Sequence, residues 1–373
     1  MPTRLDALDR LRAGAMLAGV AFHAALAHSP MVQPLWLTAD RAQAPWLDGL
    51  LWPMHLLRMP LFFWLAGFFA AWQWERRGAG GLMRDRARRV LVPLVVGLPL
   101  MHLAMDALVQ WGVAHVQHPS PLMGWVRRAW AEGWPSPPPS LGHLWFLAYL
   151  LLFTVLLWVG RTLVPLAWRA RWSVPSRGAG AFGLLALPVL LVPTLAAVPA
   201  PHPAPEALLP QPWAIAFYGT FFALGTVSRP WLPVLARKKC WLGLGLGAGL
   251  AMVGFVLLLP RPVPPGDWAV AAVSSVAAVW GCGAVAGAAC AWRAPLGRAM
   301  HFLADAAYWV YLVHLPILLA LQLATMDLDW PWTLKLPLVL GLTLGLSLGT
   351  FALWIRNGVW GRWLLGRREA APA

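Results

Sequence analysis

The first thing this sequence has little of is charge. Only 12% of its residues are charged, and Asp and Glu together number 14, whereas a soluble domain carries roughly 25% charge. That shortage excludes an ordinary soluble surface over a chain of 373 residues. Cysteine is scarce as well. Cys240, Cys282 and Cys290 form no C-x-x-C pair and no even framework, so they read as small apolar fillers. The ten histidines and the few acids show no ligand spacing on one helix, and no metal is expected. A cleaved signal peptide is not expected either, because Asp6 and Asp9 sit among the N-terminal arginines. Neither an internal repeat nor an appended soluble domain stands out.

Long apolar runs fill the space that charge leaves. The chain is 60% hydrophobic, with a mean hydropathy of +0.63. Stretches near the ~20 residues a bilayer needs lie at 11–29, 51–74, 90–110, 144–166, 181–199, 212–228, 241–260, 267–291, 299–325 and 335–357. The expected fold is therefore an all-α, polytopic transmembrane helix bundle of about ten spans, with one integral membrane domain over residues 1–373. The net charge of +15 is no nucleic-acid signature, because the basic residues cluster in short links between apolar runs. With the N-terminus placed in the cytoplasm, the alternation of spans puts all but six of the 29 basic residues on the inner side. The exceptions are Arg41, Arg58, Arg127, Arg128, Arg261 and Lys335. That asymmetry predicts both termini in the cytoplasm. Two links, WPSPPPS (134–140) and VPAPHPAPEALLPQP (198–212), are too rich in proline to continue a helix.

Some spans carry groups that lipid disfavours. In DRLRAGAMLAGVAFHAALAH (9–28), Arg12 and His23 stand eleven residues apart. On a helix that is ~20° from the same face and ~16 Å along the axis. An arginine at the inner mouth and an imidazole at depth on one stripe suggest function. The plainer reading is an interfacial arginine and a histidine bonded to a neighbouring helix. In MHLLRMPLFFWLAGFFAAW (54–72), His55 and Arg58 share a face and Pro60 loosens the helix beside them. Arg58 needs a carboxylate, carbonyl, water or anionic ligand, unless it snorkels to the outer surface. Gly67 invites close approach of another backbone. RDRARRVLVP (84–93) sets Arg86 and Arg89 at a helix start, which suits phosphates as well as it suits ordinary inner-side anchoring. His143 in GHLWFLAYLLLF (142–153) is expected at the outer edge, in a Trp and Tyr belt. HFLADAAYWVYLVHLPILLAL (301–321) carries Asp305, Tyr308, Tyr311 and His314 as a polar ladder. The runs GLGLGAG (243–249) and GLTLGLSLG (341–349) are expected to be helix-packing faces.

Taken together, these pieces resemble the acyltransferase 3 family of integral membrane acyltransferases. The resemblance rests on Leu8-Asp9-x-Leu11-Arg12 with His23 after ten intervening residues, on PLFFWLAGFF, on Arg86-x-x-Arg89 leading to Pro93, on HLWFL and on AYWVYLVHLPI. Within the family, HLLRMPLFFWLAGFF and GHLWFLAYLL look closest to members that succinylate periplasmic glucans. Ala66 departs from the pattern, since the family often has Ser before the glycine, and no hydroxyl role is expected there.

The resemblance implies transfer of an acyl group from cytoplasmic acyl-CoA, succinyl-CoA or acetyl-CoA, to a glycan hydroxyl across a bacterial inner membrane. It implies that His23 and Arg12 match the family's essential His and Arg. A neutral imidazole, with an ordinary pKa near ~6.5, suits the task of general base. Arg58, Tyr308 or His314 would orient the ring or donate to the developing oxyanion. Arg12, Arg86 and Arg89 would hold the phosphates of coenzyme A. No Ser or Cys sits in an evident nucleophile setting, so direct transfer is expected rather than an acyl-enzyme. An O-acetyltransferase acting on another polysaccharide, lipid or sugar is the alternative within the class. A transporter or flippase is the alternative outside it, since buried His, Arg and Asp in proline-broken spans also suit a substrate pathway.

Overall fold

The computed structural model describes residues 4–135, 138–163, 177–258, 263–292 and 294–356, with Gly358 and Gly361. Among them the regular structure is helical, with one isolated bridge between Ala200 and Val263. That follows from the apolar runs, because a helix satisfies its own backbone groups where lipid offers none. The longer helices are α1 (Arg4–Leu26), α2 (Asp48–Arg86), α3 (Val92–His115), α4 (Pro121–Ala131), α5 (Trp145–Leu163), α6 (Arg177–Ala196), α7 (Pro212–Val227), α8 (Lys238–Leu258), α9 (Trp268–Ala291), α10 (Arg298–Met326) and α11 (Trp332–Thr350). A π-turn, Ala87–Leu91, joins α2 to α3 without a loop.

As far as the described residues reach, each expected apolar stretch lies over one of these helices. Among the described residues, six helical stretches are long and apolar enough to cross a membrane: Pro45–His115, Gly142–Leu163, Lys238–Leu258, Trp268–Ala291, Arg298–Met326 and Trp332–Ile355. The first has 71 residues and contains two of the expected spans. Large apolar side chains such as Val95, Leu103, Leu190, Leu257 and Leu346 point outward, as a lipid-facing surface requires.

One helix was not expected. Ser120 caps α4 by accepting from the Met123 N–H at 3.1 Å, and Pro121 opens it. Met123 and Ala129 are buried beneath it, while Trp125 and Trp130 are exposed. That amphipathic pattern suits a helix lying along a membrane surface.

Small residues decide which helices touch. α2 and α7 meet at two glycines placed reciprocally. A Cβ on Gly67 would stand 2.0 Å from the Phe222 carbonyl oxygen, and one on Gly225 would stand 2.0 Å from that of Trp64. Backbone cannot yield as a flexible side chain does. Gly67→Val should therefore destabilise the fold by about 3 kcal/mol or more, seen as a clearly lowered thermal melt in detergent. Gly345→Ala, in open space on α11, should leave the melt unchanged or slightly raised; equal effects would disprove the close crossing.

The two glycine-rich runs behave differently. In the first, Gly247 faces the Trp280 ring of α9, with a Cβ position 2.4 Å from it. The second does not pack through its glycines. Gly341, Gly345 and Gly349 have nothing within 4 Å of a Cβ position, and the buried stripe of α11 is Lys335, Val339, Thr343 and Ser347. The expectation of a glycine face on this helix is corrected accordingly.

Near the centre, Met16, Val20 and Ala24 of α1 pack on Ala306, Ala307 and Val310 of α10. These small contacts draw the two polar-bearing helices together. The link from residue 27 to 47 then folds back over their end. Asp40 anchors it by a buried ion pair with Lys335 at 2.7 Å. Gln322 of α10 accepts from Trp36 Nε1 at 3.1 Å and from Thr38 Oγ1 at 2.5 Å.

Candidate active site in a cavity through the bundle

A cavity of ≈ 980 Å³ runs between α1, α2, α3, α5 and α10. Its lining extends from Arg12 to Leu26 on α1 and from His55 to Gln73 on α2, about 21 Å and about 27 Å of helix rise. One end holds Arg12, Asp85, Arg86, Arg89 and Asp305. The middle holds His23, Arg58, Tyr311 and His314. The opposite end holds Leu37, His102, Ser140 and Glu206. Every site residue anticipated from the sequence, namely His23, Arg58, Tyr308, His314, Arg12, Arg86 and Arg89, lines this one space.

The middle is built on two imidazoles whose protons can be assigned from their partners. His314 Nδ1 lies 2.9 Å from the carbonyl oxygens of both Val310 and Tyr311. Those oxygens only accept, so Nδ1 carries the proton and Nε2 carries a lone pair. That lone pair faces His23 Nδ1 at 3.4 Å. His23 Nδ1 is therefore the donor, and His23 keeps its own lone pair on Nε2. The nearest group there is Arg58 Nη2 at 3.5 Å, which can only donate. The assignment is consistent along the whole chain of contacts. His23 is in the last turn of α1, and the folded-back link covers it, with the Trp36 ring centroid 6.2 Å away.

Arg58 reaches the site from α2. Its Nη1 donates to the Gly19 carbonyl at 3.2 Å, and its guanidinium lies 4.6 Å from the Phe22 ring centre. His55, one turn earlier, stacks on the same Phe22 ring, with centroids 5.3 Å apart. Among the described residues no carboxylate lies within ion-pair distance of Arg58. A guanidinium held in a cavity by a carbonyl, a ring and an imidazole lone pair is ready for an anion.

His143 departs from its expected place in an outer belt. It is buried, its Nε2 donates to the Leu312 carbonyl at 3.3 Å, and its ring centroid lies 5.9 Å from that of His314. Tyr311 completes the contact by donating to the His143 carbonyl at 2.7 Å. A single helix cannot show this, since a histidine beside Trp and Tyr reads the same facing lipid or facing inward.

At the arginine end, Arg12 pairs with Asp9 at 3.2 Å and Arg89 with Asp85 at 3.0 Å. Arg86 Nη2 donates to the Ala66 carbonyl at 3.5 Å, and its buried Nε has no partner. Tyr308 is at this end and not beside His23: its hydroxyl donates to the Arg89 carbonyl. At the opposite end the proline-rich link is tied down from several sides. Gln211 N–H donates to the Tyr149 hydroxyl at 2.8 Å, Leu141 N–H to the Glu206 carbonyl at 2.7 Å, and His55 Nε2 to the His202 carbonyl at 2.8 Å. Burial, with the nearby His55 adding to it, pushes the His202 imidazole down to about 3 and keeps it neutral.

The family model described as an acyltransferase domain matches residues 5–352. The chain belongs to the acyltransferase 3 family. Among curated relatives of this chain, glucans biosynthesis protein C of Salmonella typhimurium (strain LT2) is 29% identical over 147 residues, which cover 39% of this chain and 36% of the relative. Glucans biosynthesis protein C of Escherichia coli (strain K12) is 26% identical over 163 residues, covering 41% and 38%. The chain thus spans less than two-fifths of the length of the curated relatives it matches. No solved structure matches. Among the described residues no group of three or more His, Cys, Asp and Glu is arranged to hold a metal ion.

Proposed function

We propose that this acyltransferase moves an acyl group, succinyl by preference, from acyl-CoA to a hydroxyl of a periplasmic glucan, in a bacterial inner membrane that it crosses ten times with both termini in the cytoplasm. The observation that carries the reading is the single cavity that joins three arginines at one end to a histidine whose lone pair faces a guanidinium deeper in. The arginine end is the cytoplasmic mouth, where Arg12, Arg86 and Arg89 hold the donor's phosphates. The donor's long arm then carries the thioester the ~16 Å from Arg12 to His23. The glucan enters from the opposite end, past Ser140 and Glu206.

His23 Nε2 takes the proton from the acceptor hydroxyl as its oxygen attacks the thioester carbonyl carbon. Arg58 donates to the oxygen that becomes negative. The C–S bond then breaks, and the leaving sulfur takes the proton back from His23. The sum is an ester and a free thiol, with no net proton change on the protein. His314 orients the His23 ring by accepting from its Nδ1.

The test is thiol release by the purified protein in detergent, given succinyl-CoA or acetyl-CoA and a glucan, with the glucan weighed by mass spectrometry. Thiol release that depends on acceptor, with one added acyl mass per thiol, supports the reading, and the faster donor names the acyl group. Movement of labelled glucan across proteoliposomes without thiol release would favour a transporter instead.

A further inference from the structure

The Arg86-x-x-Arg89 pair lies at a junction that its own sequence makes irregular. Four residues after Arg89 stands Pro93. In a continuous α-helix the Arg89 carbonyl would accept from the N–H of that residue, and proline has none. The chain forms the π-turn Ala87–Leu91 at this point, a local unwinding found often at functional sites. The Arg89 carbonyl instead takes a donor from another helix, the Tyr308 hydroxyl of α10. Among its side chains, Val90 is buried in the core and Arg89 Nε reaches Asp85 one turn back, while Arg86, just before the turn, reaches the Ala66 carbonyl.

We infer that Tyr308 is a positioning residue for the donor, whose hydroxyl fixes the π-turn so that Arg86 and Arg89 point into the cavity. The inference rests on the reading that these arginines hold the donor's phosphates. It also removes Tyr308 from the chemistry at His23. A hydroxyl has one proton, and this one is committed to a backbone carbonyl. Tyr308 also precedes His314 by six residues, about 9 Å along α10. Tyr308 and Pro93 then form a matched pair: the proline strips the carbonyl of its own donor, and the tyrosine replaces it.

The experiment measures donor KM, kcat at saturating donor, and the calorimetric affinity of coenzyme A alone, all on the full chain in detergent. Tyr308→Phe should raise donor KM and weaken coenzyme A binding by about tenfold, with kcat within about twofold. Pro93→Ala gives the Arg89 carbonyl a backbone N–H of its own. On that background Tyr308→Phe should change neither quantity further. Loss of kcat with KM and coenzyme A affinity unchanged would overturn the inference, because the hydroxyl would then act in the chemical step. So would the same tenfold effect on both backgrounds, since the hydroxyl would then work through something other than the carbonyl. Arg89→Ala is measured beside them. If it leaves coenzyme A affinity unchanged, the arginines do not hold the donor and the parent reading fails along with this one. If it weakens binding while Tyr308→Phe does not, only this inference fails.

Discussion

Replacing His23 with alanine should lower acceptor-dependent thiol release by about a thousandfold, since a positioned general base contributes about 10²–10⁴. Donor KM and the thermal melt should change little, because the side chain is only half-buried beside the cavity and the α1–α10 contact rests on Met16, Val20 and Ala24. The proton assignment gives this prediction a second half. His314 Nε2 accepts from His23 Nδ1, so His314 determines which nitrogen of His23 is free. His314→Phe fills similar space but accepts nothing. Its expected loss is about ten- to a hundredfold in kcat, less than for His23 itself, because the ring still has a lone pair but no longer keeps it on Nε2. The double variant should be no slower than His23→Ala alone, since orienting a missing base does nothing. Turnover within about tenfold of wild type in His23→Ala would move the base elsewhere in the cavity. A double variant slower than either single would give His314 a role of its own.

Much of this site was legible in the sequence, for identifiable reasons. Arg12 and His23 lie on one stripe because the helical period says so, and both line the cavity. Arg58 was marked by the cost of placing a guanidinium inside a span, and it proves to be beside His23. Gly67 was marked by its place among bulky aromatics, and Phe222 backbone fills the space its missing side chain leaves. What could not be read is partnership between distant elements. His23 and His314 are 291 residues apart, and no periodicity within either helix relates them. His143 looked like an interface residue because a one-helix reading has no inside. The glycines of 341–349 looked like a packing face because smallness shows where contact is possible, not where it happens; on α11 the buried side is polar, with Lys335 reaching Asp40. The link 27–47 and the proline-rich link 198–212 flank the far end of the cavity, held there by contacts to α10, α2 and α5. Their composition excluded a helix for the second and gave no direction for either. Tyr308 illustrates both sides. Its polar ladder was visible, but the carbonyl it satisfies was left open by a proline in another helix.

Arg58→Ala should have the other large effect, and its size should depend on the acyl group. With acetyl-CoA, the lost interaction is the one to the developing oxyanion, which exists only in the transition state. Removing one such donor costs about 10²–10³ in kcat. With succinyl-CoA, the donor also brings a carboxylate into a space where the described residues offer Arg58 no acidic partner, so the guanidinium interacts with the bound substrate as well. Succinyl transfer should therefore fall by a further tenfold or about that in kcat/KM, with the extra loss appearing in donor KM. Arg58→Lys separates charge from shape. Lysine keeps the cation but not the fork that spans Gly19, the His23 lone pair and an incoming oxygen. It should recover part of the succinyl preference and little of the rate. Equal losses for both donors in Arg58→Ala would confine Arg58 to the oxyanion and leave the carboxylate to another group, with Arg86 and Arg12 then the next cations to replace. A preserved rate with both donors would remove Arg58 from the reaction altogether and leave the stabilising donor to be sought elsewhere around the cavity.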